Sequence, residues 1–126
     1  MAASRAVVVL VIEDDVLIRR AAREALEAEG YEVIEAASAA PAVEILAARS
    51  DITVVFTDVD LSNAISGAAL ARLLVRQAPW VSVVVTSYGD PIDIGYAFLP
   101  KPYAPRRMLE VVRGAAEAAC ARSAGK

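Results

Sequence analysis

From Ile52 to Phe56 every residue is β-branched or aromatic, and neither Gly nor Pro interrupts the run. A segment of that length and make-up suits a strand buried on both faces of a parallel sheet, and it is too short for a core helix. It leads directly into Thr57-Asp58-Val59-Asp60. Open parallel sheets keep their chemistry just outside the carboxyl ends of their strands, so Asp58 stands where a reactive group is expected. An Asp at such a place also commonly caps a turn, and one strand does not separate the two readings.

The rest of the chain repeats the pattern. Ala6 to Ile12 is a second apolar strand, ending in Glu13-Asp14-Asp15. Val16 to Glu29 has helical periodicity: Val16, Leu17, Ala21, Ala25 and Leu26 are expected to share the core stripe. Arg19, Arg20 and Arg23 then fall on a solvated face. Asp15 is placed to cap that helix and Gly30 to stop it. Tyr31 to Ala36 reads as a short strand, and Ser38 as the N-cap of a helix reaching about Arg49, with Pro41 in its first turn. Beyond the Ile52 strand come a helix from Gly67 to Gln77, a strand from Val81 to Thr86, a short strand from Tyr96 to Leu99, and a helix from about Pro105 to Arg122.

Five strands alternating with helices predict a doubly wound parallel sheet of flavodoxin-like order 2-1-3-4-5. A single domain over residues 1–126 is expected, with its core at about 6–122. One connection is short. Ser87 to Gly95 holds Gly89, Pro91 and Gly95, and a parallel crossover ordinarily needs ~12 residues, so the fourth helix is expected to be shortened or lost.

The composition excludes several classes. A net charge of −3 lacks the basic face a nucleic-acid groove requires. With no His and one Cys, neither a Ser-His-Asp site nor a His- or thiolate-ligated zinc site can form. Arg5 and the apolar run after it faintly resemble a signal peptide, but acidic residues follow without a cleavage site. No apolar run approaches the ~20 residues of a membrane helix. A soluble cytoplasmic protein is expected.

At the strand ends this topology gathers Glu13 and Asp14, Asp58 and Asp60, Thr86 and Ser87, and Lys101. Carboxylates at such range repel unless a cation sits among them. Oxygen-only donors select a hard ion, and Mg²⁺ suits a site of few carboxylates that leaves room for water and phosphoryl oxygens. Lys101 supplies a mobile positive charge and Thr86 a hydroxyl donor; together they suit a phosphoryl group on a carboxylate oxygen. Thr86 is preferred to Ser87 because it directly ends the apolar run.

With these pieces in order, the chain resembles a response-regulator receiver domain (CheY-like) over nearly its whole length. The likeness is carried by Glu13-Asp14-Asp15, Thr57-Asp58, Val85-Thr86-Ser87 and Pro100-Lys101-Pro102. It implies that Asp58 accepts a phosphoryl group from a histidine kinase or phosphotransfer protein, as a stoichiometric acceptor with slow autodephosphorylation rather than as an enzyme. It implies Mg²⁺ held by Glu13, Asp14, Asp58 and the backbone carbonyl of Asp60. Lys101 would pair with the phosphoryl group, and Lys101-Pro102 is similar to the family's cis peptide. Thr86 and Phe98 would act as the switch, altering binding to a downstream protein, with no nucleic acid or membrane partner. A stand-alone receiver is expected, because the chain ends about one helix past Lys101.

Three features depart from the family's pattern. Ser62 stands where Pro is usual, Phe98 where Tyr is commoner, and Ser87 to Gly95 is short. Two alternatives stay open. Asp58-Val59-Asp60 also fits the Asp-x-Asp motif of haloacid-dehalogenase-like phosphatases, and a degenerate receiver would act by binding alone.

Overall fold

The computed structural model describes residues 7–58, 72, 76, 78–87 and 97–124. The uninterrupted apolar runs become the middle of one five-stranded sheet. Strands β1 (Val8–Ile12), β3 (Ile52–Asp58) and β4 (Ser82–Ser87) are buried almost throughout, and β2 (Glu32–Ala36) and β5 (Ala97–Pro100) form the half-exposed edges. The order is β2-β1-β3-β4-β5, with every pair parallel. That is the flavodoxin-like order expected from the alternation of elements.

Alternate side chains of the central strands feed two separate cores, as the strand period of two requires. Leu10, Ile12, Val55, Val83 and Val85 pack on the side of helix α2 (Ala39–Ala48) with Ala42 and Leu46. Val9, Val11, Val54, Phe56 and Val84 face helices α1 (Val16–Ala28) and α3 (Pro105–Ala124), against Leu26, Met108 and Val112. Burial on both faces is what demands continuous apolar strands here.

Helix α1 begins and ends as its sequence suggests. Asp15 accepts from the amides of Leu17 and Ile18 at 2.9 and 3.2 Å. Gly30 follows the helix at φ +94°, a conformation that costs side-chain-bearing residues most. The expected core stripe holds at Ala25 and Leu26 but is corrected before them. Val16 and Leu17 are 51% and 76% exposed, and Ala21 is exposed too. The buried line runs through Ile18, Ala22, Ala25 and Leu26, at helical spacings of i, i+4, i+7 and i+8. Apolar identity set the wrong phase because both first-turn hydrophobics face solvent.

Ser38 takes the N-cap position of α2 but its hydroxyl makes no capping bond. Strand β4 starts at Ser82 rather than Val81, β5 ends at Pro100, and α3 runs on to Ala124. Arg72 and Arg76 are helical, inside the helix expected from Gly67 to Gln77. The remainder of that helix, Ser62, and residues 88–95 of the short connection lie outside the described residues.

Candidate functional site

Strand register brings distant residues to one level. Asp58, the last residue of β3, lies opposite Thr86 on β4, and Thr86 lies opposite Leu99 on β5. Ile12 pairs with Thr57, so Glu13 leaves β1 beside Asp58. Two backbone bonds carry the ladders one step past the strands: the Glu13 amide donates to the Ala36 carbonyl at 3.0 Å, and the Lys101 amide to the Ser87 carbonyl at 2.8 Å. The second fixes where the Lys101 side chain starts. The Lys101-Pro102 bond that follows is cis, as the resemblance implied.

From there the Lys101 ammonium donates to Asp58 Oδ2 at 3.0 Å and to Glu13 Oε1 at 2.9 Å. These three side chains are at most 5% exposed, which places the contact among buried ion pairs rather than screened surface ones. The other Glu13 oxygen accepts from the Asp15 amide at 3.1 Å. Carboxylate oxygens of Glu13, Asp14 and Asp58 all lie within 4.8 Å of one another. Glu13 and Asp58 are buried and Asp14 is exposed, so the cluster opens to solvent on the Asp14 side.

The ionisation of the pair follows from this geometry. Burial raises the Glu13 carboxyl above its usual range, and the charge of Asp58 adds to the rise; Lys101 and the Asp15 amide oppose it. For Lys101, burial acts to lower the pKa, but hydrogen bonds to Glu13 and Asp58 and their charges outweigh it and push the ammonium to about 12. A lysine whose folded pKa exceeds the unfolded value of about 10.4 gives stability that is complete below that pH. The contribution is lost as pH rises through the folded value. In metal-free buffer, the stability advantage of the native chain over Lys101→Met is expected to hold to about pH 10 and shrink toward pH 12. Urea midpoints across that range check it, and an advantage already gone at pH 10 would contradict the assignment.

Thr86 is 1% exposed, and its Oγ1 finds no hydrogen-bond partner among the described residues. A buried hydroxyl without a partner is uncommon in folded proteins. Phe98 is half-buried and packs against the α2-side core. Asp60 lies outside the described residues, so its expected carbonyl ligand does too. Of the sequence-derived set, Glu13, Asp14, Asp58 and Lys101 come together, with Thr86 adjacent to Asp58 in register.

The donors fit a hard divalent cation. They are carboxylate oxygens alone, with no sulfur or imidazole, and a lysine already occupies part of the negative field as a cation would. One participant was missed in the sequence. Arg19, assigned to a solvated face, is only 17% exposed; it donates to the Glu13 carbonyl at 2.8 Å and to Glu35 at 2.9 Å. The i, i+4 spacing of Arg19 and Arg23 below the acidic loop was the available signal.

A five-stranded parallel sheet with an acidic cluster and a lysine at its carboxyl edge defines a class of protein that similarity to known families narrows further. The model of the response regulator receiver domain matches residues 9–113, and the chain belongs to that family. The aerobic respiration control protein ArcA of Escherichia coli is 33% identical over 107 residues, covering 79% of this chain and 44% of that protein. The sensor kinase CckA of Brucella abortus is 31% identical over 114 residues, 83% of this chain and 12% of that one. The chain thus spans less than half the length of these curated relatives. Among solved structures, a CheY-like receiver domain protein from Methanospirillum hungatei superposes with a TM-score of 0.85 at 21% identity. The match covers 94% of this chain and 99% of that one and establishes likeness of fold.

Proposed function

We propose that this receiver domain, one unit with its core at about residues 6–122, takes a phosphoryl group on Asp58 from a histidine kinase or phosphotransfer protein. The observation that carries the reading is the Lys101 ammonium held between Asp58 and Glu13. The donor imidazole lies outside residues 1–126, which hold no His. An Asp58 carboxylate oxygen attacks phosphorus; the O–P bond forms as the P–N bond breaks, and the imidazole nitrogen leaves with the electron pair. Lys101 then faces the phosphoryl oxygens, and the Thr86 hydroxyl turns to donate to one of them.

Glu13, Asp14 and Asp58, with the Asp60 carbonyl, would hold Mg²⁺. When bound, the ion draws negative charge from the phosphoryl oxygens. The movement of Thr86 opens space that Phe98 fills, and the altered surface changes binding to a downstream protein. The chain acts once per phosphoryl group rather than as a turnover enzyme, and loses that group slowly by its own hydrolysis.

Cytoplasmic residence, without nucleic-acid or membrane partners, suits this role. Among the described residues no helix is long and apolar enough to cross a membrane, and Cys120 is a free thiol.

Incubation with acetyl phosphate and Mg²⁺, followed by intact-protein mass measurement, tests the reading. One added phosphoryl group is expected on the native chain and none on Asp58→Asn. Labelling that survives the substitution would overturn the acceptor. Sustained turnover of a phosphate monoester would point instead to a phosphatase using Asp58 and Asp60.

A further inference from the structure

The residues Glu13 to Asp15 form the short connection between β1 and α1, and its backbone needs its own anchors if two carboxylates are to face Asp58. One anchor is the bond from the Glu13 amide to the Ala36 carbonyl at the end of β2. The other is Arg19. Its Nη1 donates to the Glu13 carbonyl at 2.8 Å, and its Nε donates to Glu35 Oε1 at 2.9 Å. Glu35 is fixed in turn, because its second oxygen accepts from Arg23 Nη1 at 2.6 Å.

The guanidinium is planar, so its two arms are not independent: where Glu35 holds one, the direction of the other is set. The carbonyl it reaches belongs to the peptide that joins Glu13 to Asp14. Holding that peptide plane sets the direction in which Asp14 leaves. An ordinary surface ion pair would need no such target and contributes little. Arg49, which bridges Glu32 and Asp51 at the other end of β2, is the ordinary case, at 36% exposure against 17% for Arg19.

We propose that Arg19, oriented by Glu35, is a positioning residue for the acidic loop, fixing the Glu13–Asp14 peptide so that both carboxylates face Asp58 before a cation arrives. The inference rests on the reading of Glu13, Asp14 and Asp58 as a cation site. A loop already ordered has less freedom to lose on binding, so the effect of Arg19 falls on cation affinity.

The test is Mn²⁺ binding, followed by the electron paramagnetic resonance of the free ion, on the native chain and on Arg19→Ala, Arg19→Lys, Glu35→Gln and Arg49→Ala. Arg19→Ala is expected to weaken Mn²⁺ about tenfold, the usual scale for losing a partner just outside a metal's ligands. Lysine has no fork and recovers little of this. Glu35→Gln should weaken binding less than Arg19→Ala does, and Arg49→Ala should leave it unchanged. A second measurement needs no metal: in EDTA, the Asp14 and Asp15 amides should exchange hydrogen faster in Arg19→Ala than in the native chain.

Native-like Mn²⁺ affinity in Arg19→Ala, or an equal loss in Arg49→Ala, would overturn the role of Arg19 while leaving the cation site intact. A native chain that binds no Mn²⁺ would overturn the cation site itself, and the inference with it. Should Arg19→Ala fail to fold by circular dichroism, Arg19→Lys and Glu35→Gln decide the matter, and native affinity in both refutes the proposal.

Discussion

Replacing Lys101 with Met is expected to destabilise the chain by about 3 to 5 kcal/mol in metal-free buffer, the range for removing one partner of a buried ion pair. The reason lies in what stays behind. Glu13 and Asp58 are 5% and 3% exposed at the side chain, and the ammonium is the cation between them. Without it, two carboxylates repel in a region of low dielectric. The fold must then absorb that repulsion or one carboxylate must take up a proton. Asp58→Asn should cost much less, because Lys101 keeps Glu13 as a partner. Mg²⁺ should restore part of the Lys101→Met loss, since a ligand that binds only the folded state stabilises it by mass action. Urea unfolding with EDTA and with Mg²⁺ reads all three effects. A loss below about 1 kcal/mol in EDTA, the level of an exposed pair, would mean that the ammonium is not the counter-charge described.

Thr86→Val is expected to act in opposite directions on stability and on function. The Thr86 hydroxyl is buried without a partner among the described residues, and such a group carries a desolvation cost of about 1–3 kcal/mol. Valine keeps the branched shape, suits a strand and removes the cost, so the unphosphorylated chain should gain about 1 kcal/mol. In the proposed phosphorylated state the same hydroxyl donates to a phosphoryl oxygen. Its loss should slow labelling by acetyl phosphate about tenfold or more, as for other donors aimed at developing charge. Stability bought at the expense of activity is a familiar signature of a functional group held ready. A destabilised Val variant would show that the hydroxyl is satisfied in the resting fold.

The site was legible because chemistry and topology agree at the strand ends. Ile52 to Phe56 suited a doubly buried strand better than a helix, and the same logic at Ala6–Ile12 and Val81–Thr86 placed Glu13, Asp58 and Thr86 at one edge of the sheet. Lys101 was found by its place after the fifth strand. What escaped detection depends on helix phase. The sequence of α1 offers Val16 and Leu17 as core residues, yet both stand in solvent, and the true stripe starts at Ile18. With the stripe shifted, Arg19 moved in the reading from a half-buried contact to the solvated side. Its two partners, a backbone carbonyl and a glutamate on β2, lie outside the helix, and only the spacing of Arg19 and Arg23 pointed toward them. Ser38 illustrates a different limit: its type suits a cap, but its hydroxyl makes no capping bond.

The rims of the sheet have a consequence for life in a crowded solution. An unpaired strand edge invites a second molecule to add to it. Here β2 carries Glu32 and Glu35 on opposite faces of the sheet, tied to Arg49 and to Arg19 and Arg23, so an incoming strand would have to strip water from charges on both sides. The opposite rim, β5, is only four residues long and closes with Pro100, which has no N–H to offer. Charges on one border and a short, proline-ended strand on the other both work against edge-to-edge strand addition.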